Sequence, residues 1–172
     1  MWTLGLCVFA FVAVSELEAM REARAAPNSS GFHQWGAITL FHGLPSDHVR
    51  AIAQAADGTM WFGTDAGLVK YDGRRIQRVA TDGWISGQIR ALELDADGAL
   101  WIGTNSGAAR LIRGEINPIA DTEGIAVTAI ITASPRQTIM TSERGIVLYA
   151  SLREDGSVAV RKITPENNPL LQ

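Results

Sequence analysis

The sequence contains little of what several common chemistries require. Its 172 residues include one cysteine, Cys7, so neither an internal disulfide nor a cysteine zinc site can form within the chain. With 15 basic and 18 acidic residues the formal net charge is −3, which gives no basic field for nucleic acid. The sequence also has no phosphate-binding glycine loop and no nucleotide fingerprint. These absences argue against redox chemistry, nucleic-acid binding and autokinase activity in this chain.

The first 15 residues are uncharged and mostly apolar, and this run ends before Glu16. It is shorter than the roughly 20 apolar residues that a membrane-spanning helix needs. Its length suits the core of a signal peptide, for which Ala23-Arg24-Ala25 offers a cleavage pattern. We therefore predict a signal peptide or amino-terminal apolar segment at 1–26, a linker at 27–35, and a periplasmic or extracytoplasmic location. An uncleaved anchor and a buried helix of a cytoplasmic protein are the alternatives.

One octet of residues occurs twice at a spacing of 40 positions. Asp57-Gly58-Thr59-Met60-Trp61-Phe62-Gly63-Thr64 returns as Asp97-Gly98-Ala99-Leu100-Trp101-Ile102-Gly103-Thr104. Gly43 and Gly83 have the same spacing, as do Gly67 and Gly107. A repeat of this length is typical of structures that stack copies of one supersecondary unit.

Each unit predicts a four-stranded antiparallel meander, because short strand-like runs alternate with Asp-Gly and similar tight turns. The predicted organisation is an outer strand at 36–42, blades at 43–80 and 83–120, a degenerate blade at 124–163 and a tail at 164–172.

The third unit departs from the other two at the most distinctive positions of the octet. Ile139 takes the position of the tryptophan, Thr141 takes that of the following glycine, and Pro135-Arg136 replaces Asp-Gly. We therefore expect its first hairpin turn to be built differently.

The apolar runs Met60-Trp61-Phe62 and Leu100-Trp101-Ile102 are continuous, whereas a half-exposed strand would alternate. Both faces of such strands are covered in a radial stack of four-stranded sheets, which is the β-propeller arrangement. The predicted fold class is thus all-β, with about three propeller blades in an incomplete ring. We assign structural roles to the repeated residues Asp57, Gly58, Trp61, Gly63, Gly67, Asp97, Gly98, Trp101, Gly103 and Gly107.

The segment from Gly43 to Gly73 resembles the two-component regulator propeller repeat, which is found in periplasmic sensor regions of bacterial hybrid histidine kinases and related signalling proteins. The resemblance implies a sensor role, with a small ligand or carbohydrate, or downstream signalling domains, as partners. Propellers typically have four to eight blades. Three units therefore predict a fragment of a longer sensor, a degraded gene product, or self-association through open blade faces.

Candidate binding residues lie on the loops opposite the Asp-Gly turns, because alternate turns of a meander fall on one side and loops on a rigid scaffold often carry function. They are His42, Ser46, Asp47, His48, Thr64, Asp65, Trp84, Thr104 and Asn105. The neighbours Ser46-Asp47-His48 point apart and cannot form a hydrolase triad. We predict no catalytic residue, no metal site and no cofactor.

The leading hypothesis is a non-enzymatic propeller segment that senses a ligand or contacts a protein in two-component-type signalling. A streptogramin-lyase-like, metal-dependent propeller enzyme is the first alternative, with His42 and His48 on the suitable face. A purely structural assembly module is the second.

Overall fold

A computed structural model describes residues 37–80, 83 and 87–166 of the chain. The predicted signal peptide and linker, most of the tail and Trp84 lie outside the described residues. Within the described part, no helix is long and apolar enough to cross a membrane.

The described residues form three antiparallel sheets of four strands each. The first blade contains β1 (Val49–Gln54), β2 (Met60–Thr64), β3 (Gly67–Tyr71) and β4 (Ile76–Arg78). The second contains β5 (Ile89–Leu94), β6 (Leu100–Thr104), β7 (Ala108–Ile112) and β8 (Glu115–Ile119). The third contains β9 (Val127–Ser134), β10 (Gln137–Ser142), β11 (Val147–Leu152) and β12 (Val158–Ile163). Strands pair in chain order within every sheet, so each blade is a meander and the predicted all-β class is confirmed.

The Asp-Gly turns repeat with the same geometry in the first two blades. The Ala55 amide donates to the Thr59 carbonyl at 2.8 Å, and one repeat later the Asp95 amide donates to the Ala99 carbonyl at 3.0 Å. Gly58 adopts a φ of 86°, which a residue with a β-carbon rarely tolerates. The third blade turns differently, since only Pro135 and Arg136 separate β9 from β10.

The hydrophobic core lies between the blades, at interfaces that we call seams. The first seam joins the first and second blades through Leu68, Ile89, Leu92, Leu100, Ile102 and Leu111, with Trp61 packed against them. The second seam joins the second and third blades through Trp101, Ala108, Ile119, Ile125, Val127, Met140, Leu148 and Ala150. All five residues of β6 are consequently buried, as expected of a strand covered on both faces.

A buried polar network fixes the tryptophan of the second seam. Trp101 is 2% exposed, and its Nε1 donates to Asp95 Oδ2 at 3.1 Å. Arg110 Nε donates to the same oxygen at 3.0 Å, and its guanidinium lies 5.5 Å from the Trp101 ring centroid. Ala55 occupies the equivalent of Asp95 in the first blade, where Trp61 is only partly buried. The two tryptophans, alike in the repeat, therefore have different surroundings.

Glycine follows each tryptophan at the point where the next blade comes closest. A β-carbon on Gly63 would overlap the Ile89 Cγ2 methyl and lie 3.1 Å from Ile89 Cβ. One on Gly103 would lie 2.8 Å from Val127 Cγ1 and 3.1 Å from the Val127 carbonyl oxygen. Both glycines thus allow the first strand of the following blade to approach.

The outer strand predicted at 36–42 is wrong, because Leu40–His42 form a 3-10 helix. Local hydrogen bonds favour this turn: the Thr39 amide donates to His42 Nδ1 at 3.2 Å, and the Gly43 amide donates to the Leu40 carbonyl at 3.0 Å. Gly43 ends the helix with a φ of 102°. The chain then places Leu44 against Phe62 and Val69 on the first blade.

Replacing Trp101 with alanine should lower the free energy of unfolding by about 3–5 kcal/mol, as for other buried aromatic residues. Trp61→Ala should cost less because Trp61 is only partly buried. Ile139→Ala should cost least, since Ile139 pairs with the exposed Ile131. Urea unfolding of the three variants measures this order, and equal losses would contradict it.

Gly63→Ala should cost about 1–3 kcal/mol of unfolding free energy, because the added methyl overpacks the first seam. Ile89→Ala removes the overlapping methyl, so the double variant should lose less stability than the sum of the two single variants. Chemical unfolding of the four proteins tests the coupling. Additive losses would show that Gly63 does not act through Ile89.

Candidate functional site

The side of the stack opposite the Asp-Gly turns is here called the loop face. It carries the turns between the second and third strands of each blade, at 65–66, 105–107 and 143–146, together with the segments that lead into β1, β5 and β9. Among the predicted binding residues that the structure describes, most lie on these turns and segments, and Thr64 and Thr104 end the strands that lead into the turns.

On the first blade, an ion-pair cluster forms around Asp65. Its carboxylate accepts hydrogen bonds from Arg50 Nε and, at 3.1 Å, from Arg50 Nη2. His48 Nδ1 lies 3.1 Å from Asp65 Oδ2, and the Asp65 amide donates to the His48 carbonyl at 3.2 Å. The fold thus brings together His48 and Asp65 and adds Arg50, which the sequence reading missed. Arg50 recurs as Arg90 one repeat later, a signal that could have identified it.

The electrostatics of this cluster lower the pKa of Asp65 below its ordinary value. The largest cause is the hydrogen bond from Arg50, followed by partial desolvation, which opposes the shift, and then by the charges of Arg50 and His48. The cluster is solvent-exposed, so its contribution to stability is screened by water and salt.

The two predicted threonines hold turns and do not face solvent. Thr64 and Thr104 are fully buried, and their hydroxyls donate to the carbonyls of Gly67 at 2.8 Å and Gly107 at 2.9 Å. Each hydroxyl also accepts the amide two residues later at 3.1 Å. Burial therefore argues against the prediction that these threonines contact a ligand.

Three further predicted residues lie in the segment before β1 and make local hydrogen bonds. His42 Nδ1 accepts from the Thr39 amide, Asp47 Oδ1 accepts from the Leu40 amide at 3.3 Å, and Ser46 Oγ accepts from the His48 amide at 3.1 Å. These bonds shape the segment, while Trp84 lies outside the described residues.

A cleft of about 220 Å³ opens on the loop face between the second and third blades. Its lining residues are Asn105, Gly124, Ile125, Ala126, Ser142, Glu143, Arg144 and Ile146. Glu143 pairs with Arg90 of β5, which ties the two blades together beside the cleft. Gly87 leaves space for Asn105, because a β-carbon there would lie 2.6 Å from Asn105 Oδ1.

Within residues 37–80, 83 and 87–166, no three His, Cys, Asp or Glu side chains converge as a metal ion would require. The two histidines of this region belong to different hydrogen-bonded groups, His42 with Thr39 and His48 with Asp65. The loop face therefore offers hydrogen-bonding and charged groups rather than a preformed metal centre in this part of the chain.

Arg50→Gln should raise the pKa of Asp65 toward its ordinary value, because the substitution removes the hydrogen bond that lowers it most. A depressed carboxyl pKa contributes stability above the unfolded pKa, and this contribution is lost as pH falls through the folded pKa. The variant should therefore lose less stability on acidification. Carboxyl-carbon NMR titration measures the pKa, with Asp57 as a control because the Thr59 amide lowers its pKa. An unchanged Asp65 pKa would contradict the assigned cause.

Comparison with known proteins bears on the fold. Residues 43–66 and 83–106 match the family model described as two component regulator propeller. A search of curated proteins finds no similar sequence.

Solved structures share the blade arrangement at low sequence identity. The extracellular domain of the hybrid two component system BT4673 from B. thetaiotaomicron is 18% identical, with a TM-score of 0.57 over 69% of this chain and 16% of that domain. An auxiliary nutrient binding protein from Bacteroides ovatus is 8% identical, with a TM-score of 0.55 over 70% of this chain and 32% of its own. Virginiamycin B lyase from Staphylococcus aureus is 15% identical, with a TM-score of 0.51 over 68% and 41%. This chain thus spans less than half of each of these proteins.

Each matched segment contains one repeated octet and the loop that leads into its blade. The two segments belong to the first and second four-stranded blades. The resemblance predicted from the sequence is confirmed. The described residues form β-propeller blades, and two segments of them match the model of the two component regulator propeller.

Proposed function

We propose that this chain is an extracytoplasmic, ligand-sensing segment of a two-component-type signalling protein, and that the cleft between the second and third blades holds the ligand. The observation that carries the proposal is the mixed lining of this cleft. Ile125 and Ile146 supply apolar surface, while Asn105, Glu143 and Arg144 supply an amide, a carboxylate and a guanidinium. Small-ligand sites commonly combine an apolar wall with a few polar groups that fix orientation.

A single sugar ring, or the end of an oligosaccharide, is the ligand class that best suits this lining. Its apolar face would contact the isoleucines, and its hydroxyls would bond to Asn105 and the charged side chains. The volume of about 220 Å³ lies below the range of about 300–1,000 Å³ usual for drug-sized ligands, which favours a small occupant.

The location of the cleft suggests how binding would become a signal. Asn105 belongs to the second blade and Ser142–Arg144 to the third, so a bound ligand would contact both. A ligand that binds more tightly to one relative position of these blades would shift the population of molecules toward that position. A neighbouring signalling domain would then detect the shift.

The similar solved structures supply the context for this proposal. They include an extracellular domain of a two component system and a nutrient binding protein. We therefore propose both an extracytoplasmic location and a non-enzymatic role for this chain. The lyase among these structures shares the fold, and none of the described geometry favours its chemistry here.

Thermal unfolding with glucose, galactose, arabinose, glucuronate and their oligomers as probes tests the proposal. A sugar that occupies the cleft should stabilise the chain by about 2.7 kcal/mol at a concentration of about 100 times Kd. Asn105→Ala should weaken the binding of that sugar about threefold to tenfold, which is the effect expected from the loss of one neutral hydrogen bond. Asp57→Asn, on the opposite side of the stack, is the matched control and should leave affinity unchanged. Failure of every probe to stabilise the chain, or equal weakening by both variants, would overturn the proposal.

A further inference from the structure

One position of the loop face carries a different side chain in each blade. It is the residue that directly follows the second strand: Asp65 after β2, Asn105 after β6 and Glu143 after β10. These three residues are equivalent, because in every blade the last residue of the second strand pairs with the first residue of the first strand. The first and third blades thus have a carboxylate at this position, whereas the second blade has a neutral amide.

This difference accompanies a change in the partner of the neighbouring arginine. Arg50, the second residue of β1, forms an ion pair with Asp65 of its own blade. Arg90 is the equivalent residue of β5, but its own blade carries Asn105 where the first blade has Asp65. It pairs instead with Glu143 of the third blade. The charge of Glu143 at the cleft is therefore balanced by a cation from the second blade.

Arg144 supplies the charge of the cleft that is not balanced. Among the described residues that line the cleft, Glu143 and Arg144 are the only charged ones. None of the ion pairs in the described part of the chain includes Arg144. Ser142 Oγ accepts hydrogen bonds from the Arg144 amide at 3.3 Å and from the Ile146 amide at 3.1 Å, which holds the turn that carries Arg144. When Arg90 is counted, these groups have one net positive charge.

We infer that the cleft selects a sugar acid, a hexuronate, and that Arg144 binds the carboxylate of this sugar. The inference rests on the proposed function, since it names the class of sugar that the same cleft would hold. A guanidinium can donate two parallel hydrogen bonds to a carboxylate, and these bonds are stronger than those to a neutral hydroxyl group. The apolar wall and Asn105 would contact the ring and its hydroxyls.

Arg90 is a positioning residue in this arrangement. It does so through Glu143, which directly precedes Arg144 in the turn between β10 and β11. Without Arg90, the Glu143 carboxylate would repel the carboxylate of the ligand and would compete with it for the Arg144 guanidinium. The pairing of Arg90 across the two blades therefore keeps Arg144 available to an acidic ligand.

Isothermal titration calorimetry with glucuronate and with glucuronamide tests the inference, because these probes differ only in that an amide replaces the carboxylate. The native chain should bind glucuronate about fivefold more tightly, as expected of one solvent-accessible ion pair of good geometry. Galacturonate and galacturonamide repeat the comparison on a second ring. Arg144→Gln should remove the preference for the acid, whereas Arg144→Lys, which retains the charge, should keep part of it. Circular dichroism of each variant establishes that its sheets are intact.

A second set of variants tests the role of Arg90. Arg90→Gln should reduce the preference for the acid about threefold, because it leaves the Glu143 carboxylate unpaired. Adding Glu143→Gln to Arg90→Gln should restore the preference, a recovery that a general structural role of Arg90 would not produce. Arg50→Gln is the matched control, because it removes the equivalent arginine of the first blade, away from the cleft, and should leave the preference unchanged.

A native preference for the acid that Arg144→Gln abolishes, and that Arg90→Gln reduces only while Glu143 is present, supports the inference. Equal affinity for the acid and its amide, or a preference that persists in Arg144→Gln, overturns the inference but leaves the proposed function standing, since a sugar still binds. Equal reductions by Arg90→Gln and Arg50→Gln would overturn the role of Arg90. Absence of binding by every sugar would overturn both the inference and the proposed function.

Discussion

The close approach of one blade to the next at a tryptophan and a glycine is the contact on which the rest of this structure depends. A single four-stranded sheet has two faces and no second layer of its own, so it must bury apolar surface against a neighbour. Gly63 and Gly103 let the incoming strands come near, and Trp61 and Trp101 fill the space beside them. The loop face and its cleft exist only because these seams hold adjacent blades at a fixed separation.

The second blade shows what complete coverage permits. Its carboxylate at Asp95 is buried, yet it accepts bonds from Trp101 and Arg110, so neither charge is left unpaired. A buried pair of this kind is costly to assemble and costly to break by removing one partner. The first blade, with Ala55 and Lys70 at the equivalent positions, has no counterpart of this network. Among the described blades, only the second is covered by a neighbouring blade on both faces. The network lies there because the two seams exclude water from it.

Sequence reasoning predicted the repeated part of the structure well, because each repeated residue determines the structure of its own turn or strand. Asp57-Gly58 specifies a turn, and the continuous apolar run around Trp101 specifies a strand with two covered faces. The same reasoning placed Ile139 and Thr141 at the tryptophan and glycine positions, and the strand register agrees. In the described geometry, Trp101 of the octet lies in the second seam and Gly98 lies in the turn before β6.

What the sequence did not predict arises from contacts between distant segments or from competing local bonds. The cleft combines Asn105 with Glu143 and Arg144 of the eroded third unit, where no repeat marked the loop. Leu40–His42 has strand-like composition, but bonds among Thr39, Leu40, His42 and Gly43 favour a helical turn. Thr64 and Thr104 were predicted to be polar loop residues. The sequence does not indicate that each hydroxyl is buried inside its own turn, where it donates to a backbone carbonyl.

Pairing of strands in chain order also affects how this molecule acquires its structure. Every ladder joins segments that follow each other along the chain, so each sheet closes only short loops and the entropic cost of forming it is small. The contacts of high sequence separation are concentrated in the seams. Cooperativity is therefore expected to pass between nearest neighbours, as in a linear array of repeats, with the middle blade coupling the outer two.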